Sequence, residues 1–228
     1  MCGRSSLHDV PTNVLDRFRL PPVLPGFTPR FNIAPTQEQW TIAVGRDRKP
    51  VSKLMRWGLV PSWSKDRSAG HRMFNARAES VTEKPAFRDA MQRRRCPILA
   101  DGYYEWSVRG KSKVPMYFYL AGNRAFAMAG LWEFWNDGDA PLLTCAVITT
   151  PAGARTQPWH HRMPAILTLD GAESWLDAST PPSALQALLV PYDQDDLVSH
   201  EVAKLVNSPA NDRAECMAPL VAEAATVT

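Results

Sequence analysis

The 228-residue chain has no apolar run approaching the ~18–20 residues of a membrane-spanning helix. Its N-terminus also lacks the charged-then-apolar pattern of a secretory signal. A cytoplasmic location is expected, or a nuclear one in a eukaryotic source, with no membrane partner. Cysteine is scarce. Cys2, Cys96, Cys145 and Cys216 stand far apart and form no CxxC pair, so neither a zinc site nor a disulfide framework is indicated. No metal and no cofactor is expected. Cys96 and Cys145 lie in apolar runs and read as buried hydrophobes; Cys216 reads as incidental. Internal repeats and low-complexity linkers are missing too. Residues 1–228 therefore read as one domain, loose from about residue 212 onward, where the chain is Ala-rich.

Long helical patterns are few. The 20 prolines are spread along the whole chain and favour short elements joined by turns. Strand-like runs rich in β-branched and aromatic residues recur at 51–57, 97–100, 115–120, 125–132, 142–149 and 165–169. Short helices are predicted at 13–20 after Thr12, 83–93 after Thr82, 171–177 after Asp170, and 183–189. The sum is a single α+β domain, β-rich, built on a curved, mostly antiparallel sheet with peripheral helices.

Charge is distributed unevenly. Residues 1–115 hold 21 Lys and Arg against 10 Asp and Glu, while the remainder holds 5 against 13. A basic half in a chain of net charge +3 suggests a polyanion-binding face. The run Arg93-Arg94-Arg95 reads as a solvated helix end rather than a recognition element.

The opening Met1-Cys2-Gly3-Arg4 carries distinct chemistry. With Met1 removed, Cys2 holds an α-amine and a thiol on neighbouring carbons. An α-amine with pKa ~7.7–8.0 is partly neutral at physiological pH and can attack an aldehyde. The thiol can then close on the imine as a five-membered thiazolidine, an intramolecular step favoured by proximity.

Three further stretches place polar groups beside aromatics at strand-like ends, where sites tend to be built. They are Phe74-Asn75-Ala76-Arg77-Ala78-Glu79-Ser80, Ala100-Asp101-Gly102-Tyr103-Tyr104-Glu105-Trp106 and Trp159-His160-His161-Arg162-Met163-Pro164. Together with Phe31-Asn32-Ile33-Ala34-Pro35, Trp57-Gly58-Leu59-Val60-Pro61-Ser62-Trp63 and Ala129-Gly130-Leu131-Trp132-Glu133, they follow in order and spacing. In this the chain resembles the SRAP family (SOS response-associated peptidases, the abasic-site processing proteins), from Cys2 to about Asn211.

The resemblance implies a β-rich SRAP fold and a covalent reaction with abasic sites in single-stranded DNA, carried out by a monomer. It implies a thiazolidine cross-link between Cys2 and the ring-opened deoxyribose, removal of Met1 by the protein itself or by an aminopeptidase, and weak lyase or reversal chemistry. By the same resemblance Glu105 is the general acid–base, Asn75 positions Cys2 and the sugar, and His160 shuttles protons. Arg4, Arg77 and Arg162 would meet phosphates, Trp63 and Trp106 would stack on bases, and Asn32 and Pro35 would form a loop beside the strand. Trp57 and Trp132 read as core. Where relatives commonly have Asp after the catalytic histidine, this chain has His161; register favours His160 for the role. Two rival classes compete with this reading. An N-terminal-nucleophile amidohydrolase would need an oxyanion hole and a four-layer sandwich of sheets and helices, and this chain has too few long helical patterns for it. A plain single-strand-binding module would show salt-sensitive binding independent of Cys2.

Overall fold

Prolines leave the chain only short helices, and α-helices of six to eight residues are what the computed structural model contains among its described residues, 2–136 and 140–220. Strands do most of the work: β1 (Ser5–Leu7), β2 (Arg30–Ile33), β3 (Glu38–Val44), β4 (Pro50–Trp57), β5 (Asn75–Arg77), β6 (Arg95–Ala100), β7 (Gly102–Arg109), β8 (Ser112–Leu120), β9 (Phe126–Trp135), β10 (Leu142–Pro151), β11 (Arg162–Pro164), β12 (Ile166–Leu167) and β13 (Leu197–Glu201). The helices are α1 (Thr12–Arg17), α2 (Arg88–Arg93), α3 (Leu169–Leu176) and α4 (Pro182–Ala187).

Strands β10, β4, β3, β6 and β9 pair in that order, and β9 pairs back onto β10, closing a five-stranded barrel. Pairing around it is antiparallel except between β4 and β10. Beyond the ring, β5 continues parallel to β10, and β11 pairs antiparallel with the end of the same strand. A second, antiparallel sheet has the order β13-β8-β7-β1-β2. The expected β-rich α+β fold is therefore found. It is a barrel carrying a second sheet, not the four-layer sandwich of an amidohydrolase.

Closure explains the long buried runs. β9 and β10 line the barrel with one face and are covered from outside on the other, so their sequences are apolar without alternation. Cys96 and Cys145 are fully buried here, as is Trp57, while Trp132 packs partly buried against the core.

Several sequence expectations are corrected. α1 begins after Pro11 with no side-chain cap from Thr12, and the expected 83–93 helix forms only as α2. α3 is capped by Thr168, whose hydroxyl accepts from the Gly171 N–H, rather than by Asp170. Arg95 is not solvated. It is 6% exposed, and its guanidinium donates to the carbonyls of Met91, Gln92, Trp175 and Asp177, satisfying the ends of α2 and α3.

The expected loose tail is also corrected as far as residue 220. The Asp212 carboxylate accepts from the Phe31 and Asn32 N–H groups at 2.6 and 2.9 Å and pairs with Arg30. Cys216, read as incidental, is fully buried beside Tyr104, Tyr117, Val202 and Val206. The remaining part of the expected tail, 221–228, lies outside the described residues. No helix among the described residues is long and apolar enough to cross a membrane.

Candidate active site

The N-terminal strand is pinned before it reaches Cys2. β1 lies between β2 and β7, with Ser5 opposite both Ile33 and Tyr103. Asp101, 2% exposed, ties it down: its carboxylate accepts from the Ser6 hydroxyl at 2.6 Å and meets His8 Nδ1 at 2.7 Å. Gly102 follows because Tyr117 crosses there. A Cβ at this position would lie 2.2–2.3 Å from the Tyr117 ring and hydroxyl, and that hydroxyl bonds Ser6 at 2.9 Å. The Tyr104 N–H then donates to the Arg4 carbonyl at 3.0 Å, extending the pairing toward Cys2.

Strand alternation determines which way Glu105 faces. Tyr103 belongs to the main core and Tyr104 to the smaller one, so Glu105, two residues after Tyr103, is directed inward. It is 2% exposed, and burial pushes its carboxyl up to about 7. His160 Nδ1 lies 3.4 Å from Glu105 Oε1. The same nitrogen is 2.9 Å from the Arg162 carbonyl and 3.2 Å from the Arg162 N–H, so either neutral tautomer is held in place. Burial is also the leading effect on His160, lowering its pKa and keeping the imidazole neutral at physiological pH. The His161 ring packs against it at 4.5 Å between centroids.

Asn75 enters from β5 at the barrel rim, opposite Val147 of β10. Its Nδ2 donates to the Cys2 carbonyl at 2.7 Å, which fixes the amide orientation, since an oxygen there would face an oxygen. Its Oδ1 is buried with no partner among the described residues. Cys2 is fully buried, with Sγ 3.8 Å from the Arg4 carbonyl. Burial, followed by the Glu105 charge, raises its thiol, so the sulfur carries its proton at neutral pH. Four expected residues, Cys2, Asn75, Glu105 and His160, thus converge from β1, β5, β7 and the approach to β11. A cleft of about 590 Å³ opens at this point, lined by Arg4, Glu105, Trp106, His160, His161 and Asn207 among others. Larger grooves on the barrel wall contain none of these groups.

The expected DNA-facing residues divide. Trp63 is 65% exposed in the turn after β4, Arg77 is exposed, and Pro35 is half-buried in the turn after β2. Trp106 and Arg4 line the cleft, with the guanidinium 5.8 Å from the ring centroid. Arg162 and Asn32 do not face solvent. A buried guanidinium needs a partner; that of Arg162 is held by both Glu79 carboxylate oxygens and the Thr149 carbonyl. Asn32 is fully buried, and its Nδ2 donates to the carbonyls of Val206, Ser208 and Asn211 at 3.1, 3.0 and 2.7 Å. Asn32→Ala is therefore expected to cost about 2–3 kcal/mol, because it strands buried carbonyls. Urea denaturation monitored by tryptophan fluorescence checks this.

Sequence reasoning missed Tyr103 and Thr156, whose hydroxyls meet at 3.2 Å and join the His160 loop to β7. It also missed Asn207, which accepts the Trp106 indole N–H at 2.7 Å. Tyr103 stands inside the 100–106 motif, but nothing local announces these pairings, whose partners are 53 and 101 positions apart.

Comparison with known proteins matches residues 1–209 to the family model described as SOS response associated peptidase (SRAP). Abasic site processing protein YoaM of Bacillus subtilis is 42% identical over 222 residues, covering 95% of this chain and 97% of its own. Abasic site processing protein HMCES of Gallus gallus is 35% identical over 191 residues, which is 73% of this chain and 56% of that protein. A crystal structure of a protein from Bacteroides thetaiotaomicron superposes with a TM-score of 0.84 at 26% identity, covering 96% of this chain and all of the other. A second, from Bordetella bronchiseptica, shares the fold at 22% identity and a TM-score of 0.72. With the family model matching residues 1–209 and YoaM matched over 97% of its own length, the protein belongs to the SRAP family.

Proposed function

We propose that this protein processes abasic sites in single-stranded DNA by forming a thiazolidine between Cys2 and the open-chain deoxyribose. The observation that carries the reading is the buried Cys2, held through its carbonyl by Asn75 and accompanied by a carboxyl raised to about 7 and a neutral imidazole. The names of the relatives, abasic site processing proteins, agree with it.

The reaction needs the Cys2 amine uncovered, so Met1 leaves first, by self-processing or through an aminopeptidase. Glu105, poised between acid and base at neutral pH, helps open the sugar hemiacetal to its aldehyde. The amine adds to C1′ and water departs, leaving an imine. The thiol S–H then adds across the C=N bond; sulfur bonds to C1′ and the proton reaches nitrogen. Because the thiol is protonated beforehand, a base must receive that proton, and Glu105 and His160 are the groups at hand. The Asn75 Oδ1 is a buried acceptor suited to a sugar hydroxyl. Arg4 and Arg77 would meet phosphates, and Trp106 and Trp63 would stack on bases without sequence preference. Arg162 and Asn32 act indirectly in this reading, through the His160 turn and the residue 206–211 segment. Such a protein acts as a monomer in the compartment that holds its DNA, without metal or cofactor. Imine formation without ring closure would give the weak lyase path.

The test uses Met-free protein and single-stranded DNA bearing one abasic site. A heat-stable protein–DNA band on a denaturing gel is expected, and none with intact DNA. Salt-sensitive binding with no covalent band would instead indicate a plain single-strand-binding module.

A further inference from the structure

Part of the cleft wall comes from far along the chain. Lys204–Asn207 forms one 3₁₀ turn, ending at the cleft edge. The Asn207 side chain is exposed, so packing does not explain it. Its Oδ1 accepts the Trp106 indole N–H at 2.7 Å, and its backbone carbonyl accepts Arg4 Nη2 at 3.1 Å. One residue therefore holds both the aromatic face and the cation at the cleft rim.

Its own position is fixed from beneath. Asn32 binds the carbonyls of Val206 and Ser208, immediately on either side of Asn207. Asn211 Nδ2 donates back to the Leu205 carbonyl at 2.8 Å, and Asp212 ties the following residues to β2. The Asn32 and Asn211 bonds use main-chain carbonyls of the segment, and none of these contacts engages the Asn207 amide side chain. Trp106 is half-buried, packed against the smaller core on one side, and the Asn207 bond adds a directional restraint on its indole plane.

We propose that Asn207 is a positioning residue for strand binding: its side-chain oxygen sets the plane of Trp106, while its main chain sets Arg4. The inference rests on the reading of the cleft as a single-strand site. A stacking platform binds bases best when its plane is fixed before the strand arrives, because the ordering cost is then already met. The Asn207 bonds go to Trp106 and Arg4, so its contribution falls on binding and not on the bond-forming step.

The experiment compares wild type, Asn207→Ala, Trp106→Phe and the double variant. Affinity for intact single-stranded DNA is read by fluorescence anisotropy, and the cross-linking rate at saturating abasic strand by denaturing gel. Asn207→Ala is expected to weaken affinity about fivefold, the worth of one neutral hydrogen bond, with the saturated rate within about twofold of wild type. Adding it to Trp106→Phe, which lacks the indole N–H, should cost little more, because both changes remove one interaction. In the DNA-free protein the Trp106 indole N–H resonance, assigned by its loss in Trp106→Phe, should shift in Asn207→Ala while the other indoles stay in place. The spectrum also reports that the variant is folded. Wild-type affinity in Asn207→Ala, additive losses in the double variant, or a fall in saturated rate at unchanged affinity would each overturn the proposal. If wild type itself neither binds the strand nor cross-links it, the reading of the cleft fails first.

Discussion

Cys2→Ala is expected to leave no heat-stable protein–DNA adduct while strand cleavage at the abasic site persists. Alanine keeps the α-amine, so addition to C1′ and loss of water can still occur. What is lost is the sulfur that closes on the imine. That closure is intramolecular, and the effective concentration of a thiol on the neighbouring carbon cannot be matched by one in solution. The uncaptured imine acidifies the C2′ protons, and β-elimination then breaks the strand. The adduct signal should fall by roughly two orders of magnitude or more, with a cleaved fragment rising in its place. A form still carrying a residue before Cys2 should behave differently, giving neither adduct nor fragment, because its amine is locked in an amide. The gel separates these products directly. Cross-linking by Cys2→Ala at the wild-type rate would sink the thiazolidine mechanism.

Burial gives the thiol a specific place in this order of events. Its raised pKa makes it a poor nucleophile toward reagents that need thiolate. In the proposed reaction it would act only when an imine stands beside it and a base can take its proton. Seclusion of Cys2 and proximity of Glu105 are thus parts of one arrangement. The His160 loop joins it through Tyr103 and Thr156.

Much of this was legible from sequence, for reasons that differ by residue. The strands β9 and β10 announce themselves because barrel closure buries both faces, giving long buried runs, whereas β4 buries only Met55 and Trp57 and shows through its β-branched and aromatic residues. β7 is less evident as a strand because Tyr103, Tyr104 and Trp106 flank an inward carboxylate and mask alternation. Yet that same misplaced carboxylate is the signal of a site, since a buried Glu is expensive unless it serves something. Cys2, Asn75, Glu105 and His160, named together only through the resemblance, lie close together in the structure although they come from four separate segments of the chain. Arg162 and Asn32 were drawn into the DNA-binding set by their place in the motifs. Their actual contacts, Glu79 for the one and residues 206–211 for the other, lie 83 and 174–179 positions away in the sequence. A long side chain in a motif does not declare whether it points outward or back into its own fold. Asn207 was invisible for the converse reason: an exposed Asn after a short turn is the commonest of surface features.

Glu105→Gln is expected to slow cross-linking by about 10²–10⁴-fold and at the same time to stabilise the protein above neutral pH. The first effect follows from removing the group that exchanges protons at both ring opening and ring closure. In wild type the saturated rate should show a break near pH 7, where Glu105 titrates, and Gln should erase it. The second effect follows from linkage. The carboxyl is raised by burial from 4.5 to about 7, so between those values the native state holds a proton that the unfolded chain has released. More protons bound in the native state means that stability falls as pH rises across that window and then levels off. At about pH 8 the buried charge costs roughly 3 kcal/mol, and near pH 5 under about 1 kcal/mol, since each pH unit crossed inside the window is worth about 1.4 kcal/mol. Glutamine, neutral throughout and similar in shape, avoids that cost. Urea melts of the two proteins should therefore diverge at pH 8 and nearly converge at pH 5. Equal stability at both values would mean that Glu105 is not held against its charge, and the proton-transfer role would lose its physical basis. A gain in stability with loss of rate would mark Glu105 as a residue retained for chemistry at the expense of the fold.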